Sequence, residues 1–205
     1  MSLLRSKITM AAAALAVAAS MAARPAAAGD DGTAAWGSVG GWQIRVDRSI
    51  GNGCFALQGY RDGSVLRLGF DMTRKAIYLV LGNASWRSIE LGKLYRIDFV
   101  FDGATRYSGD FRGVRLGGSA FLAGTSLSFD FTRDFMERNE VRIYYRGALV
   151  GDLSLRNTYA AVAEVVHCQR EIAASGSGDR PSGAYRNTAG PFAGASGAVR
   201  DPFAR

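Results

Sequence analysis

The stretch that decides the fold is residues 137–170, ERNEVRIYYRGALVGDLSLRNTYAAVAEVVHCQR. Apolar and polar residues alternate over 141–145 and again over 153–155, with glycines between, which predicts a β-hairpin. Residues 158–170 then follow a helical period, and Cys168 lies on the apolar stripe of that helix. The stretch therefore predicts a hairpin that runs directly into a helix, with a cysteine facing the core.

Cys54 is the second of the two cysteines in the chain. Two cysteines in an exported protein favour a disulfide, and this one would enclose most of the domain in one loop. Two free thiols are the alternative. If the bond forms, it ties the last helix to the first strands.

The rest of the chain reads as a run of short strands joined by tight turns. Asp-Gly pairs mark two of the turns, and a change to helical period predicts a short helix over 130–138. Because the strands follow one another without βαβ alternation, we predict a mainly β fold. It would be a single antiparallel β-sandwich or a partly open barrel, with two short helices near the C-terminus. The predicted strands are 42–47, 54–60, 64–71, 76–81, 94–101, 106–111 and 114–122.

Both ends of the chain are predicted to lie outside the β-rich domain, 41–171. Residues 1–28 have a basic start, a small apolar run and an Ala-rich end, which is typical of a secretory signal peptide. The apolar run is too short for a membrane span, so we expect a periplasmic or secreted protein with no transmembrane span after cleavage near Ala28. We predict a flexible leader over 29–40 and, from its Gly, Ser and Pro content, a disordered tail over 172–205.

The charge of the chain gives little support for nucleic-acid binding. The whole sequence has 25 basic and 18 acidic residues. Three basic residues belong to the signal peptide, so the mature chain has 22 minus 18, or +4. The basic residues do not cluster in the sequence, and nucleic-acid binding favours a clustered patch.

The sequence has few residues of the kinds that catalyse reactions, and we predict that the protein is not an enzyme and uses no cofactor or metal. His167 is the single histidine, and with two distant cysteines it does not supply a zinc ligand set. A Cys-x-x-Cys redox motif is absent from the sequence. The remaining enzymatic alternative is a hydrolase that uses two carboxylates out of Asp98, Asp102, Asp110 and Asp152.

Aromatic and arginine residues offer a better case for binding. Trp86 and Arg87 break the strand period between two turns, and Tyr144 and Arg146 lie at the end of a strand. Such residues are typical of protein-binding surfaces. We therefore predict a non-catalytic binding protein with a protein or envelope-glycan partner. An inhibitor or immunity protein acting on a periplasmic or extracellular hydrolase is the alternative.

Four features together resemble a known family. They are Trp42-x-Ile-x-x-Asp47, the early Cys54, a phenylalanine-rich short helix, and the closing segment LSLRNTYAAVAEVVHCQ at 153–169. Over about residues 40–170 the chain resembles the invasion-associated locus B family of small periplasmic proteins of alphaproteobacteria. The resemblance implies a periplasmic, non-catalytic, β-sandwich-like protein with a role in the envelope or in host interaction.

Overall fold

The computed structural model describes residues 32–125, 127–175 and 201–204. The predicted signal peptide, 1–28, lies outside these residues, as does 176–200 of the predicted tail. The described chain forms ten strands, a short 3₁₀ helix (Arg48–Ile50) and two α-helices. The strands are β1 (Thr33–Val39), β2 (Trp42–Asp47), β3 (Gly53–Gly59), β4 (Ser64–Asp71), β5 (Ala76–Asn83), β6 (Leu94–Phe101), β7 (Thr105–Leu116), β8 (Ser119–Thr125), β9 (Glu140–Tyr145) and β10 (Ala148–Ser154); the α-helices are α1 (Phe129–Glu137) and α2 (Thr158–Ser175).

The strands make one antiparallel sheet in the order β1-β2-β3-β4-β5-β8-β7-β6-β9-β10. This confirms the prediction of a mainly β, antiparallel fold with two helices late in the chain. Of the two predicted arrangements, the structure shows the open one, since all ten strands belong to one sheet that does not close on itself. Helix α2 ends at Ser175, five residues beyond the predicted end.

The sheet curls until its two ends approach each other. The indole Nε1 of Trp42 in β2 donates to the carbonyl oxygen of Arg156, just beyond β10, at 3.0 Å. The Asn157 side chain donates to Gly40 O at 3.0 Å, and the Tyr60 hydroxyl donates to Ser154 O at 2.8 Å. These bonds use side chains, so they hold the ends together without completing a strand ladder.

One face of the curled sheet lines the main core. Residues of β2 through β10 and of both helices share it, and its largest fully buried side chains include Trp42, Phe101 and Phe135. Helix α1 starts at Ser128, whose hydroxyl accepts from the Phe131 backbone N–H at 3.1 Å. This cap places Phe131 and Phe135 into the core, where Phe131 meets the edges of several aromatic rings.

The predicted disulfide is present. Cys54 in β3 and Cys168 in α2 are joined, with their Cα atoms 6.1 Å apart, and both are fully buried. Beside the bond, the Gln169 side chain accepts from the Cys54 backbone N–H at 2.8 Å. The helix is therefore fixed to the sheet by a covalent bond and by a neighbouring hydrogen bond.

The prediction of a flexible leader over 29–40 is wrong for residues 33–39, which form β1. This strand pairs with β2 through a turn at Gly40 and Gly41, both of which have positive φ. Trp36 of β1 donates to Glu164 of α2 at 3.1 Å. Tertiary packing orders a segment whose Ala and Gly content gave no strand signal.

The prediction of a disordered tail over 172–205 is wrong at both of its described ends. Residues 172–175 continue α2, and Ile172 is buried against the core. Residues 201–204 pack on the domain, where Phe203 keeps only 7% of its surface exposed. Phe203 is therefore buried by residues that are far from it in the sequence.

Candidate functional site

The candidate site is built on the loop between β5 and β6, residues 84–93. Asn83 anchors its start, because its side-chain oxygen accepts from the Ser85 backbone N–H at 2.9 Å and from the Ser85 hydroxyl at 2.7 Å. The Asn83 amide nitrogen donates to Asp62 O at 3.0 Å and to Ser64 Oγ at 2.9 Å. Asn83 is thus a buried structural anchor, and it fixes the point from which Trp86 turns toward the core.

Three aromatic rings form a pocket beside this loop. Trp86 comes from the loop, Tyr95 from β6 and Tyr145 from β9, and the ring of Phe203 lies among them. The distances from the Phe203 ring centre to the centres of these rings are 5.0, 5.3 and 4.7 Å. The geometry at Trp86 and Tyr95 is edge-to-face, which aromatic pairs prefer.

A carboxylate contact lies next to the pocket. Oδ2 of Asp201 accepts from the backbone N–H of Arg87 at 2.8 Å and from that of Ser88 at 2.7 Å. Its other oxygen accepts from the Phe203 backbone N–H at 2.9 Å, which makes a local turn. Two backbone donors of the loop therefore hold an anionic group while the pocket holds an aromatic ring.

Basic side chains surround the aromatic pocket. The Lys93 ammonium lies 5.5 Å from the Tyr95 ring centre, and the Arg146 guanidinium lies 5.2 Å from that of Tyr145. Beside them is a cleft of about 280 Å³ lined by Lys93, Leu94, Tyr95, Arg96, Asp98, Tyr145 and Arg146. The cleft and the aromatic pocket share Tyr95 and Tyr145, so the pocket and the cleft are adjacent.

The structure brings together three of the four predicted binding residues. Trp86, Arg87 and Arg146 lie around this site, although Trp86 is a buried wall with 4% exposure. Tyr144 is not in the pocket, because successive residues of a strand point to opposite faces and Tyr145 takes the inward position.

Tyr95, Asp201 and Phe203 are site residues that the sequence did not predict. Tyr95 belongs to the core cluster and lies where the core meets the pocket. The available signal for the other two was the run Asp-Pro-Phe, since Asp and Pro favour a turn and the phenylalanine stands alone among small and polar residues.

The four carboxylates considered for catalysis each have a structural partner. Asp98 accepts from the Ser108 hydroxyl, Asp110 pairs with Arg96 at 3.4 Å, and Asp152 pairs with Arg142 at 3.6 Å. Asp102 accepts from the backbone N–H groups of Asn139 and Glu140, both at 3.0 Å. Each of the four carboxylates therefore has a contact that supports a strand pair or a turn.

Asp134 is a buried carboxylate that joins α1 to the sheet. The Tyr107 hydroxyl donates to it at 2.6 Å and Arg138 Nε at 3.2 Å. These hydrogen bonds and the charge of Arg138 hold the pKa of Asp134 below its usual value, although burial opposes them. Burial, followed by the bond to Asp134, raises the pKa of Tyr107 to about 12. The pair fastens α1 to β7.

His167 is on the exposed side of α2, with its Nδ1 3.4 Å from Glu164.

Within residues 32–125, 127–175 and 201–204, no group of three or more His, Cys, Asp or Glu side chains is placed to hold a metal ion. In the same ranges, no helix combines the length and the apolar character needed to cross a membrane.

Comparison with known proteins gives a likeness of fold. No family model matches the chain, and no curated protein matches it in sequence. Among solved structures, the fold is similar to that of invasion associated protein B from Bartonella henselae, with a TM-score of 0.49 and 9% sequence identity. The match covers 67% of this chain and 99% of that one. That protein is of the type that the sequence resembles.

Proposed function

We propose that this chain is an exported, non-catalytic binding protein that takes up a protein segment at the pocket of Trp86, Tyr95 and Tyr145. One observation carries the proposal: a segment of the chain itself occupies the pocket, since Phe203 fills it while Asp201 accepts from two backbone N–H groups. Tryptophan, tyrosine and arginine are the residues that contribute most to binding energy at protein interfaces. All three types line this site.

The geometry supports a protein partner over an envelope glycan. Phe203 enters the space between Trp86, Tyr95 and Tyr145 as a single side chain, and with this ring in place Trp86 and Tyr95 keep only 4% and 3% of their surface exposed. A pocket closed on three sides suits an inserted side chain. The Lys93 and Arg146 cations over the tyrosine rings add attraction for an acidic partner segment.

Export is the second part of the proposal, and it rests on the signal-peptide pattern of 1–28 and on the disulfide. Mass spectrometry of protein isolated from the producing cells should give a mature chain that begins at Gly29. Its mass should be two hydrogens below that of the reduced chain. A chain that retains residues 1–28 with two free thiols would contradict export.

Site-specific photo-crosslinking in cells tests the binding function. A photoreactive residue replaces Leu94, which is 54% exposed and lines the cleft, and in a control strain it replaces Tyr159, which is 62% exposed on α2. We expect one discrete adduct with another protein from position 94 and none from position 159. Adding Tyr145→Ala should remove the adduct while the purified variant keeps its far-UV circular dichroism spectrum. Identical adduct patterns from both positions, or an adduct unaffected by Tyr145→Ala, would refute the proposed site.

A further inference from the structure

We infer that the pocket recognises segments in which an aromatic residue follows an aspartate by two positions, and that the chain's own Asp201-Pro202-Phe203 competes for it in cis. This inference rests on the proposed function, because it names the ligand chemistry and the regulation of the same site. A partner segment would then have to displace residues 201–204 in order to bind.

The aspartate contact suits an anionic acceptor. Oδ2 of Asp201 takes two donors from one loop, the backbone N–H groups of Arg87 and Ser88. Adjacent backbone donors of this kind form a small anion-binding concavity, and hydrogen bonds to a charged acceptor are about twice as strong as neutral ones. An asparagine in its place would keep the shape and lose the charge.

The spacing of two residues follows from the local turn. The Asp201 Oδ1 atom accepts from the Phe203 N–H at 2.9 Å, and Pro202 fixes the φ angle between them. The segment therefore presents its carboxylate and its ring in one preformed arrangement. A ligand with this turn loses little conformational entropy when it binds.

With residues 201–204 docked, one polar atom of a residue that lines the pocket has no hydrogen-bond partner within the described residues. Trp86 Nε1 is buried and has no hydrogen-bond acceptor within the described residues. A buried donor without an acceptor is unfavourable. A partner segment that places a carbonyl oxygen on this group would bind better than the tail does, which gives displacement a physical driving force.

The connection between α2 and the docked segment is long enough for docking within one chain. Residues 176–200 number 25, and at most about 3.5 Å per residue they can span roughly 85 Å. A tethered ligand of this kind has an effective concentration of up to about 1 mM. The apparent affinity of an external segment is then its intrinsic affinity multiplied by the fraction of molecules whose pocket is open.

Peptide titration of the full mature chain tests the inference. The probe is the synthetic octapeptide AVRDPFAR, residues 198–205, titrated by calorimetry into wild-type protein and into Phe203→Ala. We expect Phe203→Ala to bind the peptide at least about tenfold more tightly than wild type, because its own tail no longer fills the pocket. Asp201→Asn in the full chain serves as a second tail variant that leaves the aromatic ring in place, and it should give the same direction of change.

Two further arms define the ligand chemistry. The peptide with asparagine in place of its aspartate should bind Phe203→Ala at least about tenfold more weakly, and adding Tyr145→Ala to the protein should abolish binding. Sedimentation of wild-type protein should show a monomer at all concentrations tested.

Three outcomes would overturn the inference. The first is no binding of millimolar peptide to either tail variant. The second is equal binding of the peptide by wild type and both variants. The third is a wild-type dimer that Phe203→Ala dissociates, which would mean that residues 201–204 dock on a second copy of the chain. In any of these cases an adduct from position 94 would still stand as support for the proposed function. The loss of that adduct together with tight peptide binding would refute only the cellular role.

Discussion

Removing the disulfide between Cys54 and Cys168 should strongly destabilise the domain. The variant is Cys54→Ala with Cys168→Ala, which avoids a free thiol in a fully buried position. The two cysteines are 114 residues apart in the sequence. For a loop of that length the chain-entropy relation gives about 4.8 kcal/mol, because the cross-link restricts the unfolded chain.

The hydrogen bond from the Cys54 N–H to Gln169 uses no cysteine side-chain atom, so we expect it, and the local geometry of α2 against β3, to persist in the double variant. At about 3–4 °C per kcal/mol for a domain of this size, the melting temperature should fall by roughly 15–20 °C. Urea unfolding followed by circular dichroism should give a lower free energy of unfolding and a larger m-value, because the uncrosslinked chain unfolds to a more open state.

The matched control is Val165→Ala, which removes buried methyl groups from the same helix and leaves the cross-link intact. It should cost about 1–3 kcal/mol with an unchanged m-value. A double cysteine variant that loses no more free energy than Val165→Ala, with the same m-value as wild type, would refute the loop-closure argument.

Two further predictions concern packing and charge. Asp134→Asn should lower the free energy of unfolding by about 1.5–3 kcal/mol at pH 7, because it weakens charged hydrogen bonds. The pKa of Asp134 in the folded protein lies below its usual value of 3.8. The contribution of the carboxylate to stability is therefore full above pH 3.8 and is lost as pH falls through the folded pKa. If urea titrations show the same difference in unfolding free energy between wild type and Asp134→Asn at low pH as at pH 7, the prediction is contradicted. Gly113→Ala should destabilise the domain and disturb the 84–93 loop, since the added Cβ would meet Glu90 O at 2.2 Å, whereas Gly109→Ala, with only a Phe111 ring atom at 3.4 Å as its nearest contact, should melt close to wild type.

Much of the fold could be predicted because the governing signals are local. The bounds predicted for the strands at 42–47, 64–71 and 94–101 are those observed, since alternation at period two is a property of consecutive residues. The disulfide could also be predicted, because an exported chain with two cysteines allows a single intramolecular pairing and Cys168 lies on the apolar stripe of its helix. Strand β1 was missed, since its order comes from pairing with β2 and packing on α2 rather than from its own composition.

The binding site could be predicted only in part. Trp86, Arg87 and Arg146 were found from the break in strand period and from their chemistry, while Tyr144 was chosen where its neighbour Tyr145 forms the pocket wall. The choice between adjacent tyrosines depends on which face of β9 meets the loop, and this requires the register of β9 against β6.

By itself the sequence determined the mainly β antiparallel class, Cys54 and Cys168 as the one available disulfide pairing, and the loop that carries Trp86. Only the tertiary structure decided that the sheet stays open while its ends meet through side chains, and that Phe203 lies among Trp86, Tyr95 and Tyr145. The physical reason is the distance along the chain over which each kind of interaction acts. Strand and turn preferences act over a few residues, whereas the pocket depends on contacts between residues that are distant in the sequence, such as Trp86 and Phe203.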